Sequence, residues 1–467
     1  MSVYPVRVAG YLRPVPKKAH IALFLIGIVA CVSAFAPLPF DTSGRIVLAL
    51  ALISAISWTL EPISIELTAL CLLLAIPASG VATFEVTFSA FARPAVWLVF
   101  SGMVISQLIT ETRLGDLLSG IIITRLKHPA TFIFELSLLG LILAILIPSG
   151  IVRVLIILPV LISLIDALKI ERHSPQSAAI VLSVVCATYY GGTGILTASV
   201  PNLIIMGVLE SRQHPIFWAE WATYLFPVIG LLRVLAGSLI ILFLFRPKIP
   251  SDPDLPKADT HIGNREIRAL ALLIFGVAAW ATDTWHHFHP VLIGLGLTIL
   301  SIAPRVGPLS TAHLRKVNYP ILIFIGSAFA LGEAVVTSGL STTLADALAS
   351  MVSLDMSSPF QQLATITYVV IPFNFLVDTA VVGSVLTPPL LELGAAAGLT
   401  PLQIGLSIAV GTGMVFMPYQ GAPFMIAYSF GYVTMRQFIT TMVLICLVNL
   451  ILLVPLNLLY WRWIGLF

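Results

Sequence analysis

Charge is what this chain has least of. Asp, Glu, Lys and Arg make up 10% of its 467 residues, where a soluble domain uses about a quarter. Such a chain cannot cover a water-facing surface, so a soluble globular protein is excluded. The net charge of +3 is too small to argue for a nucleic-acid partner. Cysteine is scarce as well. Cys31, Cys71, Cys186 and Cys446 all lie inside apolar runs without Cys-x-x-Cys spacing, which excludes a disulfide framework or a zinc knuckle and reads as small buried hydrophobes. Catalytic signatures are missing too. There is no His-Glu-x-x-His, no Gly-x-Ser-x-Gly and no paired aspartate at depth, so an intramembrane enzyme lacks its machinery. The glycines at Gly191, Gly192 and Gly194 lack the Lys-Ser/Thr of a phosphate loop. No enzyme activity and no organic cofactor are expected.

What the chain has is hydrocarbon. Hydrophobic residues are 58% of it, and its mean hydropathy is +1.04. Apolar runs recur from residue 19 to residue 465. About 20 apolar residues span the hydrocarbon core, and lipid cannot satisfy free backbone groups, so the runs must be helices. The sequence predicts an all-α polytopic membrane protein with about 11 transmembrane helices plus two re-entrant hairpins. Arg7, Arg13, Lys17 and Lys18 precede the first run without an acid among them. The positive-inside rule then places segment 1–18 in the cytoplasm. The run 19–40 is too long for a signal peptide's apolar core, so it reads as the first membrane helix. A bacterial inner membrane suits this compact form.

Proline, glycine and charge divide the rest. Helices are expected at 19–40, 44–60 and 63–81, then one from Arg93-Pro94 that runs into an interfacial stretch at 111–127. Residues 130–169 are apolar but broken at Pro148-Ser149-Gly150. Each flank is marginal as a span, so a re-entrant hairpin is expected, tolerated where it is buried in protein or lines a cavity. Segment 174–210 reads as a broken helix interrupted from Gly191 to Pro201-Asn202, and 219–245 as a further span. Residues 246–266 form a polar cytoplasmic linker. The plan then repeats over 267–467, with a hairpin at 360–395 and a broken helix at 401–431. The repeat is visible in the residues. Val99-Phe100-Ser101-Gly102 matches Ile323-Phe324-Ile325-Gly326, and Ser149 to Pro159 lies over Asp378 to Pro388. Five crossings per half make the repeats inverted, which points to a transport site at the paired breaks.

Two charged residues stand at those breaks. Arg153 follows Ser149 by four positions, and an intramembrane charge faces a cavity or a partner. It either clamps an oxyanion or pairs with Asp378 to join the hairpins. Asp378 is a proton carrier, a cation ligand, or the N-cap of the next helix. Thr193, Thr197 and Asn202 supply polar groups at the first broken helix, and Gln420, Gly421 and Pro423 mark the second. Half-helix N-termini would favour an anion. The His286-His287-Phe288-His289 run reads as an interfacial turn, and Glu333 carries no assigned role.

This layout resembles the divalent anion/sodium symporter family over roughly residues 20–465. The family's Ser-Asn-Thr triplets fall here on Ser149-Gly150-Ile151 and Asp378-Thr379-Ala380, each first residue standing ten before a proline, Pro159 and Pro388. Its Thr-Pro-Pro-Asn-like loops fall on Ser199-Val200-Pro201-Asn202 and Gly421-Ala422-Pro423-Phe424. Of the six triplet positions only Ser149 keeps the family residue. The resemblance implies a homodimeric elevator-type secondary transporter for a di- or tricarboxylate or similar oxyanion, driven by Na⁺ or H⁺. The breaks and the resemblance together place substrate near Ser149, Gly150, Arg153, Thr193, Thr197, Asn202, Asp378, Thr379, Gln420, Gly421 and Pro423, and a candidate Na⁺ near Ser149, Gly194, Asp378 and Thr379. An anion channel, or a different solute, is the alternative.

Overall fold

A computed structural model describes residues 17–35, 40–60, 62–112, 114, 129–247, 263–351, 358–375 and 378–467. The basic residues Arg7 and Arg13, the stretch 115–127, linker residues 248–262, and Leu376 and Val377 lie outside the described residues, so the expectations placed on them are not described further.

Every regular element among the described residues is helical. Among the described residues seven helices are long and apolar enough to cross a membrane, and an eighth span exists if Phe84–Ala92 and Pro94–Thr110, bent by 43°, act as one. Six further apolar helices are shorter, among them Ile65–Ala78, Val200–Ser211 and Pro401–Thr412. Length and composition therefore establish a polytopic helical architecture without fixing the number of crossings at 11.

Helix starts follow local chemistry. Ser174 caps Pro175–Tyr190 by accepting from Ser177 N at 3.2 Å. Thr400 and Gln403 form a reciprocal capping box before Pro401–Thr412, at 2.8 and 3.3 Å. Thr434 and Gln437 do the same before Met435–Val448, at 2.8 and 3.2 Å. These bonds satisfy amides that have no partner within the helix.

The same element order occurs twice. Pro129–Leu146 and Gly150–Ala167 form a first helical hairpin, followed by Pro175–Tyr190, a break, and Val200–Ser211. Pro359–Asn374 and Thr379–Ala396 form a second, followed by Pro401–Thr412, a break, and Ala422–Ser429. In each half the first hairpin arm packs on the first part of the broken helix, and a glycine lets the backbones approach. A Cβ on Gly140 would stand 2.8 Å from Val184 O, and one on Gly411 2.7 Å from Thr367 O. Small residues at such crossings are how membrane helices gain contact without a hydrophobic drive.

Each half closes with a long helix containing a wide π turn. These turns are Phe226–Leu232 and Asn449–Leu453. Pro227 and Pro455 stand at their edges. A proline offers no N–H for the usual ladder, and the helix loosens there. The first π turn receives the broken helix, since a Cβ on Gly194 would lie 2.9 Å from Gly230 Cα and 3.0 Å from Phe226 Cα.

Candidate functional site

Both hairpins turn into their second helix through a capping side chain. Ser149 accepts from Val152 N at 3.4 Å, and Asp378 accepts from Ala380 N at 2.8 Å. The broken helices restart at Val200 and Ala422 after short turns at Leu196–Ala198 and Pro418–Gln420. All four restarts border one cavity of about 490 Å³, through Ser149 and Gly150, Ser199 and Val200, Asp378 and Thr379, and Gly421 and Ala422. Four helix starts, each a positive dipole end, thus border one space.

Arg153 also borders this cavity and is 1% exposed. The ion pair with Asp378, one of its two readings, is not formed. The guanidinium donates instead to three main-chain carbonyls, Ala144 O and Ile147 O at 3.3 Å each and Ala198 O at 2.8 Å. The first two lie at the C-terminal end of Pro129–Leu146, where a helix presents negative charge. The third lies in the break of the first broken helix. One cation thus ties hairpin tip to broken helix, and its Nε stays without a partner. Glycine makes this possible: Cβ atoms on Gly150 and Gly192 would stand 3.2 and 3.3 Å from the Arg153 Nη2.

Asp378 behaves as the N-cap that was one of its three readings. No basic side chain among the described residues pairs with it. Ion pairs formed elsewhere include Arg93–Glu333, Arg212–Glu392, His289–Glu210, and Glu111 with His313 and Lys316. Its neighbour Thr379 is 2% exposed.

The remaining sequence candidates divide cleanly. Ser149, Gly150, Arg153, Thr197, Asp378, Thr379, Gly421 and Pro423 line the cavity. Thr193, Asn202 and Gln420 are spent behind it. Thr193 donates to Tyr190 O at 2.7 Å. Asn202 donates to Thr193 O and Ile195 O at 3.0 and 3.1 Å, pinning the first break. Gln420 accepts from Phe416 N and Met417 N at 2.7 Å each and donates to Asn374 O. Asn374 in turn donates to Gly411 O and Met414 O at 2.9 and 3.0 Å, so it pins the second break as Asn202 pins the first.

Several residues escaped the sequence reading. Tyr189 lines the cavity, its ring 4.5 Å from that of Phe424. Gly421 leaves room for it, since a Cβ there would lie 2.9 Å from Tyr189 Cε2. Arg233 is a second fully buried arginine, 1% exposed. It donates to Gly413 O at 2.7 Å and lies over the Tyr190 ring at 4.3 Å. With its amide oxygen turned inward, Asn449 accepts from Arg233 Nε at 2.9 Å. A lone charge inside an apolar run was the available signal, as it was for Arg153. Glu333 pairs with Arg93 at 2.5 Å, and Arg93 also donates to Gly207 O at 3.0 Å. His289 meets Glu210 at 2.6 Å. Both acids are distant in sequence, which hid the pairs.

Other helices complete the lining. Trp58, Glu66, Leu98, Met103, Asn318 and Phe324 are among the lining residues there. The Trp58 and Phe324 rings meet edge to face at 5.0 Å.

Comparison with known proteins agrees with this picture. Residues 17–467 match the family described as the sodium:sulfate symporter transmembrane region. An uncharacterised transporter of Haemophilus influenzae is 24% identical, the match covering 94% of this chain and 96% of that one. The L-tartrate/succinate antiporter of Escherichia coli K12 is 23% identical, covering 80% and 79%. Among solved structures, the Alcanivorax borkumensis YdaH transporter shares the fold, with a TM-score of 0.54 at 14% identity over 96% of this chain and 99% of that one.

Proposed function

The chain belongs to the sodium:sulfate symporter family, a family of transporters rather than enzymes, and on that premise we propose that it moves a small carboxylate-type anion by secondary active transport. The observation that carries this reading is the cavity on which four helix N-termini converge beside Arg153. Such a place favours negative charge without burying an uncompensated cation. The solute's acid group sits against the restarts at Ser149, Val200, Thr379 and Ala422.

The driving ion is Na⁺ or H⁺, and Asp378 is the residue that meets it. Its carboxylate borders the cavity and has no cationic partner among the described residues. Alternating access follows an elevator path in the proposed mechanism. Residues 130–210 and 360–431 move as a body against the remaining helices, in a homodimer of the inner membrane with the N-terminus cytoplasmic. The element order that occurs twice supports this reading, as inverted repeats place such sites at paired breaks.

Exchange is a second reading, supported by the relative named an L-tartrate/succinate antiporter. One experiment separates the two. The purified chain in proteoliposomes is offered labelled succinate, L-tartrate or sulfate, with an inward Na⁺ gradient, an inward H⁺ gradient, or unlabelled anion inside. Gradient-driven accumulation supports symport, and uptake that needs internal anion supports exchange. Uptake of no anion under any of the three conditions overturns the transporter reading.

A further inference from the structure

Arg153 occupies a place suited to a mobile ion. In transporters built around broken helices, unwound carbonyls and the C-terminal ends of half-helices coordinate the coupling cation. The acceptors of the Arg153 guanidinium are of these two kinds. Ala144 O and Ile147 O, at 3.3 Å each, lie at the C-terminal end of the first hairpin arm, and Ala198 O, at 2.8 Å, stands in the break of the first broken helix. Bare backbone closes around the group. A Cβ on Gly150 would lie 3.2 Å from Arg153 Nη2, and one on Gly192 would lie 3.3 Å from Nη2 and 3.4 Å from Nη1. Arg153 is 1% exposed, so these carbonyls are enclosed with a cation already among them. A second cation there would meet the like charge of a buried guanidinium, which is costly. The family's description implies Na⁺, yet the residues around Arg153 do not fit it.

The second half is built the other way. Ser149 to Pro159 lies over Asp378 to Pro388, so Arg153 falls on Val382, which is apolar and 2% exposed. Asp378 takes the place of Ser149. At the second break the carbonyls of Gly411 and Met414 accept from Asn374, and that of Gly413 accepts from Arg233. A mobile cation in this half therefore finds a carboxylate at the cavity, Asp378, whose recorded bond is the one from Ala380 N.

We propose that the Arg153 guanidinium is a built-in substitute for the coupling cation of the first repeat, so that transport uses at most one mobile cation, met by Asp378. This rests on the transporter reading and narrows its coupling.

The test uses the full chain in proteoliposomes, with whichever of the three labelled anions above it takes up. Uptake is measured in choline medium and with rising Na⁺ or guanidinium. The wild type is expected to respond to its driving cation with a Hill coefficient no greater than one. Arg153→Ala is expected to lose about tenfold in choline medium and to recover several-fold as Na⁺ or guanidinium is added, because either cation refills the vacated carbonyls. Arg153→Lys keeps a tethered cation with N–H donors, so it loses less and gains nothing from added guanidinium. A loss in Arg153→Ala that neither cation repairs, in a protein that stays monodisperse in size-exclusion chromatography, overturns the assignment. Should Arg153→Ala not reconstitute, the wild type decides, through the cation gradient that just balances the anion gradient. One cation or none per anion supports the assignment. Two or more overturn it and leave the transporter standing. Uptake of no anion by the wild type removes the transporter reading, and this one with it.

Discussion

Arg153 shows what one residue does at this depth. Its guanidinium is enclosed, yet three carbonyls accept from it. Removing it leaves those buried acceptors unpaired, at about 1–3 kcal/mol each where water cannot reach them. Arg153→Ala is therefore expected to lower the unfolding temperature and to cut anion uptake at least tenfold. Full uptake by a folded Arg153→Ala protein would show that the cation is no part of the site. Gly421 offers a gentler probe. A Cβ there would press on the Tyr189 ring at 2.9 Å, and overpacking of this kind costs about 1–3 kcal/mol. Gly421→Ala is expected to raise the KM for the anion several-fold by displacing Tyr189, with the folded fraction retained in size-exclusion chromatography. Arg153 was legible in the sequence because a lone charge stands out in an apolar run. Tyr189 was not, because an aromatic ring among apolar residues reads as core until a cavity is seen beside it.

Elements carry the next lesson. The breaks after Tyr190 and Thr412 are built from glycine, proline and side-chain pins, and the glycines act by letting backbone meet backbone. Gly194, a candidate cation ligand from the sequence, does not line the cavity and packs instead on the π turn at Gly230. Gly194→Ala keeps the carbonyl but fills that contact. The expectation is a fall in unfolding temperature with the cation dependence of uptake unchanged, and a changed Na⁺ or H⁺ requirement in a normally stable protein would return Gly194 to the cation site. Asp283 is a second case. It is 0% exposed and accepts from Trp218 N at 2.6 Å and Ala219 N at 3.2 Å, so it caps a helix that starts 65 residues earlier in the chain. Asp283→Ala is expected to destabilise by about 0.5–2 kcal/mol, read as a lower midpoint in thermal unfolding. The helix ends before Pro148 and after Tyr190 were legible from proline and glycine punctuation. The second break, expected at Pro418 to Pro423, opens already after Thr412, because Asn374 and Gln420 hold its carbonyls and amides from outside the local sequence.

At the scale of the whole molecule, contacts between the hairpin tips and the facing helices decide whether a carrier can move. Gly102 faces Pro148 so closely that a Cβ on it would stand 2.7 Å from Pro148 Cβ. The proposed elevator separates these two positions. A disulfide between Gly102→Cys and Pro148→Cys, in a background without the four native cysteines, is therefore expected to stop uptake under oxidant and to release it on reduction. Undiminished uptake by the cross-linked protein would rule out movement of the tip past the helix Pro94–Thr110.

Membrane residence, helical class and the positions of three of the four interruptions came from the sequence by itself. Each depends on local terms: hydrocarbon length against bilayer thickness, and proline or glycine against the helix ladder. Which polar residues face the cavity did not follow from those terms. Thr193, Asn202 and Gln420 look as available in the sequence as Thr197 and Thr379, yet they turn away to satisfy main-chain groups at the breaks. Arg153 and Asp378 look like an ion pair, yet one is taken by carbonyls and the other by a helix N-terminus. Only the tertiary structure settles such competition, because a buried polar group takes whichever partner packing brings within reach, and those partners come from distant parts of the chain.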